Sequence, residues 1–142
     1  MLLWRISEWA DLSGIGGEFA RGRWHEKGQR ITYLASSRSL AMLEAMVHFE
    51  ENDLPPDFQL LEVEAPDDLA TAHWPGGLTG DLEATRRWGS AWLSANETAL
   101  ASVPSAVAPG DMNWLLNPAH RDASRIQIVG AVRHPWDRRL FG

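Results

Sequence analysis

Cysteine is missing from all 142 residues of the chain. Its absence removes disulfides, thiolate metal sites and cysteine nucleophiles, and fits a reducing compartment. Lysine is nearly missing too. Lys27 stands alone, so twelve of the 13 Lys and Arg residues are arginines, whose planar fork suits phosphate and carboxylate. A basic excess is also lacking: 19 acidic residues give a formal charge of −6. That disfavours a nucleic-acid binder working through a general positive field, and requires any anionic ligand to be met locally. No apolar run approaches the ~20 residues of a bilayer-spanning helix. Met1 to Trp4 runs straight into Arg5, without a signal-peptide core. A cytoplasmic protein with no membrane contact is the expectation. Tyrosine occurs once, as Tyr33, against eight tryptophans.

What remains is ordinary material for one domain spanning 1–142, with 44% apolar residues. Strand-forming segments are expected at 2–6, 30–35, 58–65, 98–103 and 125–132. In 58–65, Leu61 and Val63 fall on one face and Glu62 and Glu64 on the other. Ser37 or Ser39 can cap a helix reaching about Glu51, with Leu40, Leu43 and Val47 as its buried stripe and a stop at Asn52–Pro56. Thr79 or Asp81 can open a second helix through Leu93, which Gly89 weakens. Residues 66–80 read as a loop, and Pro118–His120 as a turn after Asn113–Asn117. The class is α+β with mostly antiparallel sheet.

The segment from Gly14 to His48 mixes chemistry most densely, with a glycine-rich loop, Arg23-Trp24, Tyr33 on a strand and Glu44 on a helix. Arg5 is either an exposed strand arginine paired with an acid or part of an anion site. Arg23 either stacks on Trp24 for packing or offers its fork from the loop. Tyr33 is either a core tyrosine or a ring that packs on a flat heteroaromatic. Glu44 is either a boundary carboxylate in water or a partly desolvated functional acid. Glu44 and His48, at i and i+4, would permit two metal ligands, but no further ligand cluster accompanies them, and no metal is expected. Gly14-Ile15-Gly16-Gly17 lacks the strand and helix of a phosphate-binding loop, and Ser105 alone reads as a turn serine.

Taken in order, Arg5, Gly22-Arg23-Trp24, Tyr33-Leu34-Ala35, Leu40-Ala41 with Glu44, Val103-Pro104-Ser105, Asn113 through His120, and Asp137 through Leu140 resemble the RES-domain family. These are toxins of bacterial toxin–antitoxin pairs. The resemblance implies an ADP-ribosyltransferase-like fold of two mostly antiparallel sheets with flanking helices, and NAD as substrate. By it, Glu44, Arg23 and Tyr33 would be catalytic: Glu44 acting at the reacting ribose, Arg23 at the pyrophosphate or its ribose, and Tyr33 against the nicotinamide end. Arg5, Ser105 and Asn117 would join them in binding, with Ser105 orienting the nicotinamide. His25 stands where the family usually carries Asn. The implied activity is cleavage of the nicotinamide–ribose bond, by water or phosphate. Alternatives are ADP-ribosylation of a protein, or a module that binds NAD or a partner without turnover. The implied partner is a helix-turn-helix, Xre-like antitoxin.

Overall fold

A computed structural model describes residues 1–49 and 56–142. Among these residues, seven strands, β1 (Leu2–Ile6), β2 (Thr32–Ala35), β3 (Asp57–Glu64), β4 (Thr71–His73), β5 (Leu100–Pro104), β6 (Met112–Leu116) and β7 (Gln127–Pro135), are joined with two helices, α1 (Arg38–Met46) and α2 (Leu82–Ala95). Single 3-10 turns occur at Ile15–Glu18, Arg121–Arg125 and Arg138–Phe141.

The strands form one sheet in the order β4-β5-β6-β2-β1-β3-β7, antiparallel except for β4 beside β5. Both α+β class and antiparallel character follow the expectation. The two sheets implied by the resemblance are instead two blocks of one sheet. They meet where β1 and β2 share a single register pair, Trp4 opposite Ala35, while β1 stays paired with β3 from Leu2 to Ile6. Past that pair the strands part. Arg5 fills the gap by donating from Nη1 to the Tyr33 carbonyl at 3.1 Å.

Strand alternation builds the core. Leu3, Leu61 and Val63 turn inward with Leu34, Leu100 and Leu116, and Trp24, Ile31 and Leu115 cluster with Trp92 of α2. Asp81 caps α2 by accepting from the Ala84 N–H at 3.1 Å, and Asn96 ends it in the left-handed region at φ 52°. Ser37 caps α1 through the Leu40 N–H at 3.1 Å.

The buried stripe expected on α1 requires correction. Leu40 is buried, but Leu43 and Val47 are 42% and 58% exposed. The sheet is met by Leu40 and small Ala41, packed on Ala35. That rotation turns Glu44, Ala45 and His48 toward a cavity beside the seam. α1 also ends sooner than the expected Glu51, at Met46 with Val47 as its C-cap; all of the expected stop but Pro56 lies outside the described residues. Residues 66–80 are not all loop, since β4 adds to β5 through Thr71 opposite Leu100. The segment after Met112 is a central strand between β5 and β2.

Candidate active site

Residues Gly22 to His25 form a tight hairpin closed by the Gly22 N–H on the His25 carbonyl, 3.2 Å. α2 holds it from outside. Thr85 Oγ1 donates to the Arg23 carbonyl at 2.6 Å, and Arg86 Nε donates to the Gly22 carbonyl at 2.8 Å. Gly89 lets the helix come this close, because a Cβ there would lie 1.8 Å from the Trp24 carbonyl oxygen. Gly22 has a similar duty, since a Cβ on it would stand 2.6 Å from the Tyr33 hydroxyl. Arg23 is thus carried on a clamped hairpin. One of its amino groups donates to the Thr79 carbonyl at 3.3 Å, and among the described residues no carboxylate pairs with it.

The Tyr33 hydroxyl accepts from the Trp24 N–H at 3.2 Å and lies 2.7 Å from His25 Nδ1. His25 Nε2 lies 2.9 Å from the Ala20 carbonyl, which can only accept, so Nε2 carries the proton. Neutral Nδ1 then accepts, and Tyr33 donates to it. Burial pushes the Tyr33 phenol above its usual 10.0. Burial also holds His25 below its usual 6.5, partly offset by the Ala20 and Gly17 carbonyls. The fold therefore favours neutral His25. Its contribution to stability is complete above 6.5 and is lost as pH falls through the lower folded value. Melting temperature is expected to drop on acidification below 6.5, and less so in His25→Asn; equal pH profiles for the two proteins would contradict this.

Glu44 is half-buried. Its Oε1 accepts from Ser105 Oγ and from Asn113 Nδ2, each at 2.7 Å. Ser105 in turn accepts from the N–H groups of Val107 at 3.2 Å and Ala108 at 3.0 Å, which leaves its hydroxyl proton aimed at Glu44. Oε2 accepts nothing among the described residues. Arg5 lines the same cavity, with burial lowering its pKa against a smaller opposing pull from Asp11, and its Nε buried without a partner among the described residues. A guanidinium keeps its proton all the same, so this is a partly desolvated cation with unspent donors.

Two cavities meet at these residues. The larger, about 460 Å³, is lined by Trp4, Arg5, Phe58, Gln59 and Arg133 among others. The smaller, about 190 Å³, is lined by Arg23, Trp24, Val47, Pro104 and Val107. Tyr33, Glu44, His48 and Asn113 line both, so they form the waist of one two-lobed cleft. Arg5, Arg23, Tyr33 and Glu44 all line this cleft. Ser105 is not brought to the cleft surface: it is 0% exposed and reaches the site through Glu44. Asn117 is not brought there either. It is buried at the far end of β6, donating to the Leu93 carbonyl and Asn96 and accepting from the Ala119 N–H, where it ties down the end of α2. The contacts that Ser105 and Asn117 make here are structural ones.

Arg86 and the waist position of His48 escaped the sequence reading, and Asn113 entered it only as the start of a motif, with no role assigned. An asparagine inside Met112–Leu116 was the available signal, since a polar amide in a central strand needs a partner. Glu44 and His48 have no third ligand beside them, as no three His, Cys, Asp or Glu gather among the described residues.

Residues 2–137 match the family model described as the RES domain. The chain is 42% identical to a Pseudomonas putida protein named Toxin Res, over 99% of this chain and 100% of the relative. It is 41% identical to the Prs ADP-ribosylating toxin of a Sphingobium species, over 97% of this chain and 95% of that one. Its fold matches a chain in the crystal structure of the M. tuberculosis MbcT–MbcA toxin–antitoxin complex with a TM-score of 0.74, covering 99% of this chain and 86% of that chain. Identity there is 20%, so that likeness is one of fold. The family match over nearly the whole sequence, with relatives aligned end to end, makes this chain a member of the RES-domain family.

Proposed function

We propose that this chain is the toxin of a toxin–antitoxin pair and consumes NAD by breaking the nicotinamide–ribose bond, passing ADP-ribose to water or phosphate. The observation that carries this reading is Glu44 at the waist, one oxygen held by two donors and the other open to the cleft. Breaking that bond builds positive charge on the ribose, as in glycoside cleavage. A carboxylate already fixed in place stabilises that charge without reorganising. The smaller lobe suits one nicotinamide ring, and the larger the ADP-ribose remainder. Arg5 and Arg23, on opposite sides of the waist, suit the pyrophosphate and its riboses. Tyr33, its hydroxyl occupied by His25 and Trp24, contributes the ring.

The test is incubation of the folded protein with NAD, with and without phosphate, and measurement of free nicotinamide. Release is expected; none under either condition would refute the reading. Arg23→Ala removes a charge-assisted contact worth about 1.5–3 kcal/mol, so KM for NAD should rise about tenfold or more with kcat largely recovered at saturation. A kcat loss that saturating NAD leaves in place would count against this role.

The name of the Sphingobium relative favours a second reading, transfer of ADP-ribose to a protein. The same site would serve, with a different acceptor. Mass spectrometry of cell proteins for added ADP-ribose separates the two. For the partner, we take a helix-turn-helix antitoxin whose tail enters the cleft, because Arg5 and Arg23 offer unspent donors to a carboxylate. An antitoxin complex that still admitted NAD would refute plugging.

A further inference from the structure

We propose that His25 is a positioning residue of the cleft: its uncharged ring fixes the Tyr33 hydroxyl and, with it, the hairpin that presents Arg23, so that ligand binding requires His25 to stay neutral. The proposal rests on the cleft being the NAD site. Its basis is geometric. His25 is buried at the closing end of the hairpin, with Nε2 committed to the Ala20 carbonyl at 2.9 Å and Nδ1 to the Tyr33 hydroxyl at 2.7 Å. The same hydroxyl accepts from the Trp24 N–H, one residue beyond Arg23. His25 is thus the bolt between β2 and the arginine's hairpin.

A second proton would go to Nδ1, the nitrogen that accepts from Tyr33. The hydroxyl would then have to turn its proton away, and a donor would face the site where the Trp24 N–H already donates. Tyr33 can accept both only by giving up its own donation. The groups that set the ring's charge are few. Glu26 from the same loop favours the proton and Arg86 from α2 opposes it. β2 offers Tyr33, and the Gly17 to Ala20 stretch offers backbone carbonyls.

Tyr33 is the only tyrosine, so protein labelled at tyrosine Cζ carries a single resonance that reports this hydroxyl directly. Between about pH 8 and 5, that resonance is expected to titrate in the wild-type protein. In His25→Asn the side-chain oxygen takes the place of Nδ1 and has no such proton to gain, so the resonance should be flat. In His25→Gln the amide lies nearer Nε2, and the resonance should be displaced at every pH. KM for NAD should rise about fivefold on acidification of the wild type, the scale of one lost hydrogen bond, but not of the Asn variant. A Tyr33 resonance that ignores pH, or that titrates alike in wild type and His25→Asn, would overturn the proposal. So would a titration abolished by His48→Asn instead. The resonance is read without NAD, so its failure is distinct from a failure of the NAD reading, which nicotinamide release decides.

Discussion

Glu44→Gln is expected to lower nicotinamide release at saturating NAD by about 100-fold or more while changing KM little. The substitution isolates charge from shape. Glutamine retains a carbonyl oxygen at the place of Oε1, where Ser105 Oγ and Asn113 Nδ2 can still donate. Folding and the waist of the cleft should survive. On the proposed function, what disappears is the negative charge opposite the ribose as its bond to nicotinamide breaks, an interaction present mainly in the transition state. The loss should therefore appear in kcat, the opposite of the Arg23→Ala result. A Glu44→Gln protein retaining a tenth of wild-type turnover would end the assignment.

Gly89→Ala is expected to destabilise the protein by about 1–3 kcal/mol, although alanine is the better helix former by about 1 kcal/mol. The opposing effects differ in kind. Propensity acts along α2 alone, whereas the added Cβ would sit 1.8 Å from the Trp24 carbonyl oxygen and 2.8 Å from its carbon. Both are backbone atoms with no rotamer to escape into. α2 would have to withdraw, stretching Thr85 from the Arg23 carbonyl and Arg86 from that of Gly22. The melting temperature should fall by about 3 °C per kcal/mol, and KM for NAD should rise as the hairpin loosens. A protein as stable as the wild type, or more so, would show that propensity wins and that the close approach is not needed.

Local patterns were legible where the chain itself supplies the information. β3 announces itself by alternation, and Ser37 and Asp81, each one of two candidates, by their place before a helical run. The rotation of α1 was not legible. Leu40, Leu43 and Val47 make a consistent stripe on paper, but how far along a helix its neighbours reach is decided by the sheet, and Leu43 and Val47 lie beyond its cover. β4 was missed because Thr71-Ala72-His73 is too short to show a period. Glu44 could be suspected alone, but not its partners, which come from 61 and 69 positions away. Ser105 was found by its place in the order of motifs, but its bond to Glu44 was not foreseen, because order says nothing about which atom a hydroxyl faces. Asn117 drew attention for the same reason and proved to serve α2.

Those long separations bear on how the protein is made. Glu44 is synthesised early, yet the groups that hold it lie on β5's end and on β6, in the last third of the chain. A growing polypeptide that has folded everything through α2 still carries a carboxylate without its two donors, beside a cleft lacking the Pro104 and Asn113 portions of its wall. Under the proposed function, activity therefore arrives late and all at once, when Asn113 docks between Ala35 and Val103. Truncated translation products should be harmless to the cell that makes them.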